Sequence, residues 1–210
     1  SAAAADDPPP IEDDRVTAFL DRRFHLVAYP VRAGAATNLV AVTRSPAPGE
    51  GWSNAADRTV LERLIGRAAP KLRPVVEDAG SWTTWPIHEV PQDGPWTHPA
   101  GLALIGDAAH AMSPYAAQGA AMAIEDAVTL ATLVARHPDD LPAALAAYER
   151  LRRPRVGRVA ARGRFNRFAW HASGPAAVVR DTVLALRGTE RLTADLDWLY
   201  AWDAEQAAEA

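Results

Sequence analysis

The 210-residue sequence contains no cysteine, which removes disulfides, thiolate nucleophiles and cysteine-based zinc sites and fits a reducing cytoplasm. It has no long apolar run free of charge. The most apolar window, residues 116–135, contains Glu125 and Asp126, so no membrane span is expected. Positive charge is neither in excess nor massed: with a net charge of −4 and dispersed arginines, the chain lacks the electrostatic footprint of a nucleic-acid binder. No basic segment followed by an apolar run opens the sequence. Residues 1–14 are alanine-rich, then acidic and triple-proline, and read as a linker or loop. There is no internal repeat, and no Gly-x-Ser-x-Gly elbow of the kind hydrolases use. What is present is a hydrophobic content of 49%, ample for a buried core.

Hydrophobic alternation predicts a strand over 24–31 and a second over 37–43, with Gly34 supplying the turn of a hairpin. Pro30 donates no ladder hydrogen bond, so the first strand is expected at an edge or bulged there. Asn54 is read as the N-cap of a helix reaching Ala68, followed by a shorter helical piece after Pro70 and extended chain from Trp82. Pro86, Pro91, Pro95 and Pro99 mark an extended connection. Beyond it the chain reads as mainly helical. Ala120, Ile124, Ala127, Val128 and Ala131 recur at helical spacing, a narrow face expected to pack on a sheet. A second helix is predicted over 141–153, with Pro154 kinking or interrupting it before helical character continues to His171, and a last helix over 176–186.

The most informative stretch runs from Leu102 to Ala127. Four apolar residues end at Gly106-Asp107, where a strand leaves a carboxylate at its carboxyl end, and a small-residue helix begins beyond Pro114. That is the geometry of a ligand crevice. Asp107 is placed to accept hydrogen bonds from sugar-like hydroxyls, or simply to cap a turn. Gln118 and Gly119 sit at the first turn of the next helix, whose unpaired N–H groups favour negative charge; Gly119 equally allows tight helix packing. His110 reads as a loop brace rather than a metal ligand, because one His and one Asp fall short of a ligand set. His25 and Tyr29 share one face of the first strand, either with solvated tips or bracketing one aromatic ring. Trp85 and Trp96 are expected at a domain junction, and Arg150, Arg152, Arg153 and Arg155 on a solvated helix face bracing the C-terminal region.

Gly106-Asp107-Ala108-Ala109-His110, Pro114, Gln118-Gly119 and Glu125-Asp126-Ala127 resemble the second flavin motif of the single-component, FAD-dependent aromatic hydroxylases, the salicylate hydroxylase-like group. The resemblance extends to His25 through Val31 with Asn38-Leu39-Val40, to Tyr148-Glu149-Arg150-Leu151-Arg152 and to Asp197-Trp198-Leu199-Tyr200. It implies a mixed α/β fold: the carboxyl-terminal portion of a Rossmann-like FAD/NAD(P)-binding monooxygenase, with part of a β-sheet substrate domain and C-terminal helices. The implied division is a linker at 1–14, a partial substrate domain at 15–97, the last strand and helix of the FAD domain at 98–136, and a helical region at 137–210. FAD would then be held by Gly106, Asp107, Pro114, Ala117, Gln118, Gly119 and Ala120, with NAD(P)H as reductant. His25 and Tyr29 are the implied catalytic residues and, with Tyr115, face a small aromatic substrate. No metal is implied.

The family's amino-terminal Gly-x-Gly-x-x-Gly is not found: Gly49-Glu50-Gly51 is followed by Asn54 where a third glycine is needed. The family's middle Asp-Gly motif is not found either, and Val90 stands where an Arg is common. The expectation is therefore a carboxyl-terminal half, from truncation, proteolysis or a split gene, that pairs with an amino-terminal half or partner chain or self-associates.

Overall fold

The computed structural model describes residues 11, 14–44, 51–68, 70–187, 191 and 194–209. Gly49, Glu50 and nearly all of the linker expected at 1–14 lie outside them. The chain divides into two compact units, Ser1–Pro86 with Trp170–Val178, and Ile87–Ala169 with Val179–Ala210.

In the first unit, β1 (Thr17–Leu20), β2 (Phe24–Val31) and β3 (Ala36–Thr43) form an antiparallel sheet in the order β1-β2-β3. One face of β2 points Phe24 and Leu26 onto Leu61 and Ile65 of α1 (Arg58–Ala68), Leu72, and Val76 of α2 (Arg73–Asp78). Alternation puts His25, Val27 and Tyr29 on the other face. The predicted hairpin is present, but β2 is a central strand rather than an edge. Pro30 is tolerated because β1 pairs only with His25 to Ala28, which leaves Pro30 flanked by β3 alone through Thr37. Asn54 is not the helix cap. It belongs to a two-residue strand, β4 (Asn54–Ala55), paired with β5 (Thr83–Thr84). Asp57 begins the helix instead, its carboxylate accepting from the Thr59 N–H at 3.0 Å and from the Thr59 hydroxyl at 2.7 Å.

The second unit opens with a short hairpin of β6 (Thr97–His98) and β7 (Leu102–Ala103), then α3 (Asp107–His110), a 3-10 turn at Pro114–Ala116, α4 (Gly119–Arg136) and α5 (Leu141–Trp170). Its core gathers Trp96, Met122, Leu133, Tyr148, Val156, Val159 and Leu199. Trp96 is therefore a core residue and Trp85 is exposed. Pro154 does not interrupt α5: it and Arg150, whose carbonyl loses a donor, both lie at the solvent side, where the carbonyl is open to solvent. Helix α6 runs Pro175–Leu186, and it is not the last: two short helices follow at Asp197–Tyr200 and Ala204–Glu209. No helix among the described residues is long and apolar enough to cross a membrane.

The face of α4 predicted to pack on a sheet is the exposed one. Met122, Asp126, Thr129 and Leu133 are buried, whereas Ala120, Ile124, Ala127, Val128 and Ala131 are all exposed. The apolar spacing was real, but β7 is two residues long and pairs only with β6, so no broad sheet stands among the described residues for that face to cover.

Candidate functional site

Gly106 adopts φ 57° and ψ −139°, a conformation that excludes most side chains, and a Cβ there would lie 2.9 Å from the Ala123 Cβ. Its N–H donates to Asp126 Oδ2 at 2.8 Å, and its carbonyl accepts from the N–H groups of Ala109 and His110. His110 Nε2 meets the same Asp126 oxygen at 2.6 Å, and Arg152 Nε donates to Asp126 Oδ1 at 2.7 Å. Arg152 also donates to Glu125 at 2.6 Å and to the Met122 carbonyl at 3.2 Å. Asp126 and Arg152 are both fully buried. Burial pushes the Asp126 carboxyl up, but hydrogen bonds from His110, Arg152 and the Gly106 N–H outweigh it and hold the group below the usual carboxylate range.

This network corrects the reading of the arginine tract. Arg152 and Arg155 are buried ligands of α4 carboxylates, and only Arg150 of the four is exposed. Arg155 pairs with Glu125 at 2.9 Å and donates to the carbonyls of Trp198 and Leu199, so it does brace the C-terminal segment, from inside. Arg153 binds the Gln92 and Gly94 carbonyls and Glu149. His110 braces its loop through Asp126 and not through Asp107, and among the described residues no group of three His, Asp or Glu is placed to hold a metal.

With Gly106 and His110 pinned from below, Asp107 is left exposed at the start of α3. A Cβ built on Gly119 would sit 3.9 Å from Asp107 Oδ1, so the carboxylate borders the first turn of α4. Gln118, itself buried, is the N-cap residue of α4 but supplies no side-chain cap, so the N–H groups of that first turn are not capped by it. Pro114 starts the 3-10 turn leading there, and Ala117 ends it in the left-handed region at φ 52°. Tyr115 is buried, its carbonyl accepting from Asn166 Nδ2 at 2.9 Å, while Ala117 and Ala120 are exposed. A surface carboxylate that accepts, beside uncapped N–H groups that donate, matches a ligand with a polyhydroxy chain and an electron-rich carbonyl edge, which is the chemistry of FAD.

His25 and Tyr29 lie in the other compact unit. His25 Nδ1 is 3.3 Å from His171 Nε2, and the His171 Nδ1 is 2.9 Å from the Asp21 carbonyl oxygen. Trp170 packs its ring edge-on to His25 at 4.9 Å. Burial, with His171 adding to it, pushes His25 down to about 4. The unfolded chain therefore binds the proton that the folded chain refuses, so this group's contribution to stability is present above about pH 6.5 and is lost as pH falls toward 4. Denaturant midpoints measured across that window should fall with acidification, and less steeply in His25→Phe. Tyr29 pairs with Asn38 in register, and its hydroxyl accepts from Asn38 Nδ2 at 2.6 Å. A cavity of about 480 Å³ beside β3 takes in Thr37, Asn38, Leu39 and Trp82 but neither His25 nor Tyr29.

A profile of the FAD binding domain family matches residues 5–163. The chain belongs to this FAD binding domain family. It is 34% identical to 3-hydroxybenzoate 6-hydroxylase 2 of Aquipseudomonas alcaligenes over 86% of this chain and 56% of the relative. Against a salicylate hydroxylase of Pseudomonas putida the identity is 36% over 64% of the chain and 33% of the relative. A salicylate hydroxylase substrate complex superposes with a TM-score of 0.77 at 25% identity, over 92% of this chain and 48% of that one. Klebsiella pneumoniae HpxO, solved with FAD and uric acid, gives 0.69 at 25% identity over 87% and 47%. The chain thus spans about half the length of the curated relatives it matches.

Within this family frame, sequence reasoning placed the loop from Gly106 to Gly119 but missed its support, Asp126 with Arg152, and missed His171 beside His25. A signal for the first existed: a carboxylate on an otherwise apolar helix face demands a buried cation. For His171 the sequence carries none, because its partner is 146 residues away.

Proposed function

We propose that the protein is an FAD-dependent monooxygenase that hydroxylates a phenol-like or heteroaromatic acid with NAD(P)H and O2, and that this chain supplies the ribityl and isoalloxazine side of the FAD site together with the substrate wall. The observation that carries the reading is the exposed Asp107 carboxylate beside the uncapped first turn of α4. Asp107 would accept hydrogen bonds from ribityl hydroxyls. The N–H groups of Gly119 and Ala120 would face the carbonyl edge of the ring, and Pro114, Ala117 and Tyr115 would line its approach. When bound, FAD supplies the electron transfer from NAD(P)H and the activation of O2.

His25 stays neutral at physiological pH, so it offers a lone pair to a phenolic O–H without carrying a charge into the pocket. Held near 4, it is too weak a base to keep the phenol's proton, and its assigned role is to orient the hydroxyl. The Tyr29 oxygen accepts from Asn38, which leaves the Tyr29 O–H to donate to the oxygen of the substrate. The relatives named for 3-hydroxybenzoate and salicylate support this substrate class. A cysteine-free chain suits the cytoplasm, where NAD(P)H is available.

The exposed α4 face favours a second component: an amino-terminal FAD-binding portion or partner chain that covers Ala120, Ile124, Ala127, Val128 and Ala131. The test is to combine the chain with such a portion and follow FAD retention and NAD(P)H oxidation. The expected result is a yellow complex whose NAD(P)H oxidation accelerates with 3-hydroxybenzoate or salicylate. A complex that forms without retaining flavin would leave the chain as a non-catalytic interaction module, and the absence of any flavin response would refute the monooxygenase reading.

A further inference from the structure

We propose that His171 is a positioning residue: by accepting the Nδ1 proton of His25 it holds that ring in the tautomer whose Nε2 carries the lone pair. The Asp21 carbonyl oxygen can only accept, so the His171 Nδ1 that lies 2.9 Å from it carries a proton. With a single proton on the His171 ring, the remaining nitrogen, Nε2, then has the lone pair. His25 Nδ1 lies 3.3 Å from that lone pair and must be the donor, which strips the proton from His25 Nε2. The outward tautomer of His25 is thereby set by a carbonyl two steps away.

The surroundings favour this arrangement. In the sheet His25 pairs in register with Leu20 and Val42. The Trp170 ring, 71° from the plane of His25, limits rotation of the imidazole, and the His171 ring stands at 61° with centroids 5.3 Å apart. Asp21 is itself held in its turn, its N–H donating to the Phe24 carbonyl at 2.9 Å and its carboxylate accepting the Arg23 N–H at 2.9 Å. That a metal-ligating or catalytic histidine needs its other nitrogen fixed is a general requirement of imidazole chemistry. Its consequence for an aromatic substrate rests on the monooxygenase reading, because a phenolic O–H can donate only to a bare Nε2.

The test uses the uniformly 15N-labelled 210-residue chain at about pH 8, above the usual imidazole range. Long-range 1H–15N correlation spectra distinguish the protonated from the bare nitrogen of each ring. The wild type is expected to show His25 protonated at Nδ1 and bare at Nε2. His171→Phe, which removes the acceptor, should shift His25 toward the Nε2–H tautomer, and His171→Gln, whose amide oxygen still accepts, should restore the original pattern. An Nε2–H tautomer of His25 in the wild type, or a His25 tautomer unchanged in His171→Phe, would overturn the role. Should His171→Phe not fold, the wild-type and His171→Gln spectra still decide, since both must show the Nδ1–H form. None of these readings involves FAD or substrate. The aromatic-substrate reading is judged separately, by whether 3-hydroxybenzoate perturbs the His25 Nε2 resonance of the flavin-loaded protein.

Discussion

Arg152→Ala is expected to lower the unfolding free energy by about 3–5 kcal/mol, read as a drop in denaturant midpoint. The reason is not that the ion pair is strong in itself. Asp126 and Arg152 are both removed from water, and the pair's attraction mainly offsets that desolvation. Deleting the guanidinium leaves a buried carboxylate held by the Gly106 N–H and His110 alone, without the arginine that balances it. It also strips Glu125 of one partner and removes one of the two guanidinium groups over the Trp202 ring, leaving Arg155 at 5.0 Å. Adding Asp126→Asn to Arg152→Ala should recover part of the loss, because the unpaired charge is then gone. Losses that simply add would show that the two side chains do not act as a unit. Stability in the wild type should also fall in acid, once pH drops below the ordinary carboxylate range and through the lowered pKa of Asp126.

Gly106→Ala is expected to be the most damaging glycine substitution among the described residues, by about 2–4 kcal/mol from left-handed strain together with overpacking. The contrast is Gly34, which also has a positive φ, 87°, but no atom within 4 Å of an added Cβ. Gly34→Ala should therefore cost only the backbone share, about 1 kcal/mol. At Gly106 the new methyl meets the Ala123 Cβ at 2.9 Å, and neither atom is the end of a flexible chain. Because Ala123 lies on α4, relief requires moving the helix whose first turn borders Asp107. Ala123→Gly added to Gly106→Ala should return the steric part and leave the strain. Equal costs at Gly34 and Gly106 would show that the loop and α4 are less closely fitted than the structure places them.

Local pattern carried much of the fold into the sequence. The β2–β3 hairpin was visible because alternation and a turn glycine are short-range signals, and α6 because Pro175 punctuates its start. β1 was missed: four residues give too brief an alternation to register. The start of α1 was misread because Asn54 and Asp57 are both competent caps, and only the pairing of Asn54 with Thr84 decides between them. The site divides in the same way. Gly106, Asp107 and Gly119 were legible as a contiguous unit, whereas the parts that hold them, Arg152 on Asp126 and His171 on His25, are 26 and 146 residues apart. Arg152 was assigned to a solvated face because charge at helical spacing ordinarily is solvated. It is buried here because α4 presents two adjacent carboxylates toward α5.

The central claim, that Asp107 grips the polyhydroxy chain of FAD, is tested most directly by titrating FAD into the full-length protein and its Asp107→Ala variant and following flavin fluorescence. Asp107 is exposed and its carboxylate lies outside the buried network, so its removal should change stability by no more than about 0.5 kcal/mol. Loss of hydrogen bonds to a charged acceptor should instead weaken FAD binding by about tenfold to a hundredfold. Full FAD affinity in a folded Asp107→Ala protein would contradict the account.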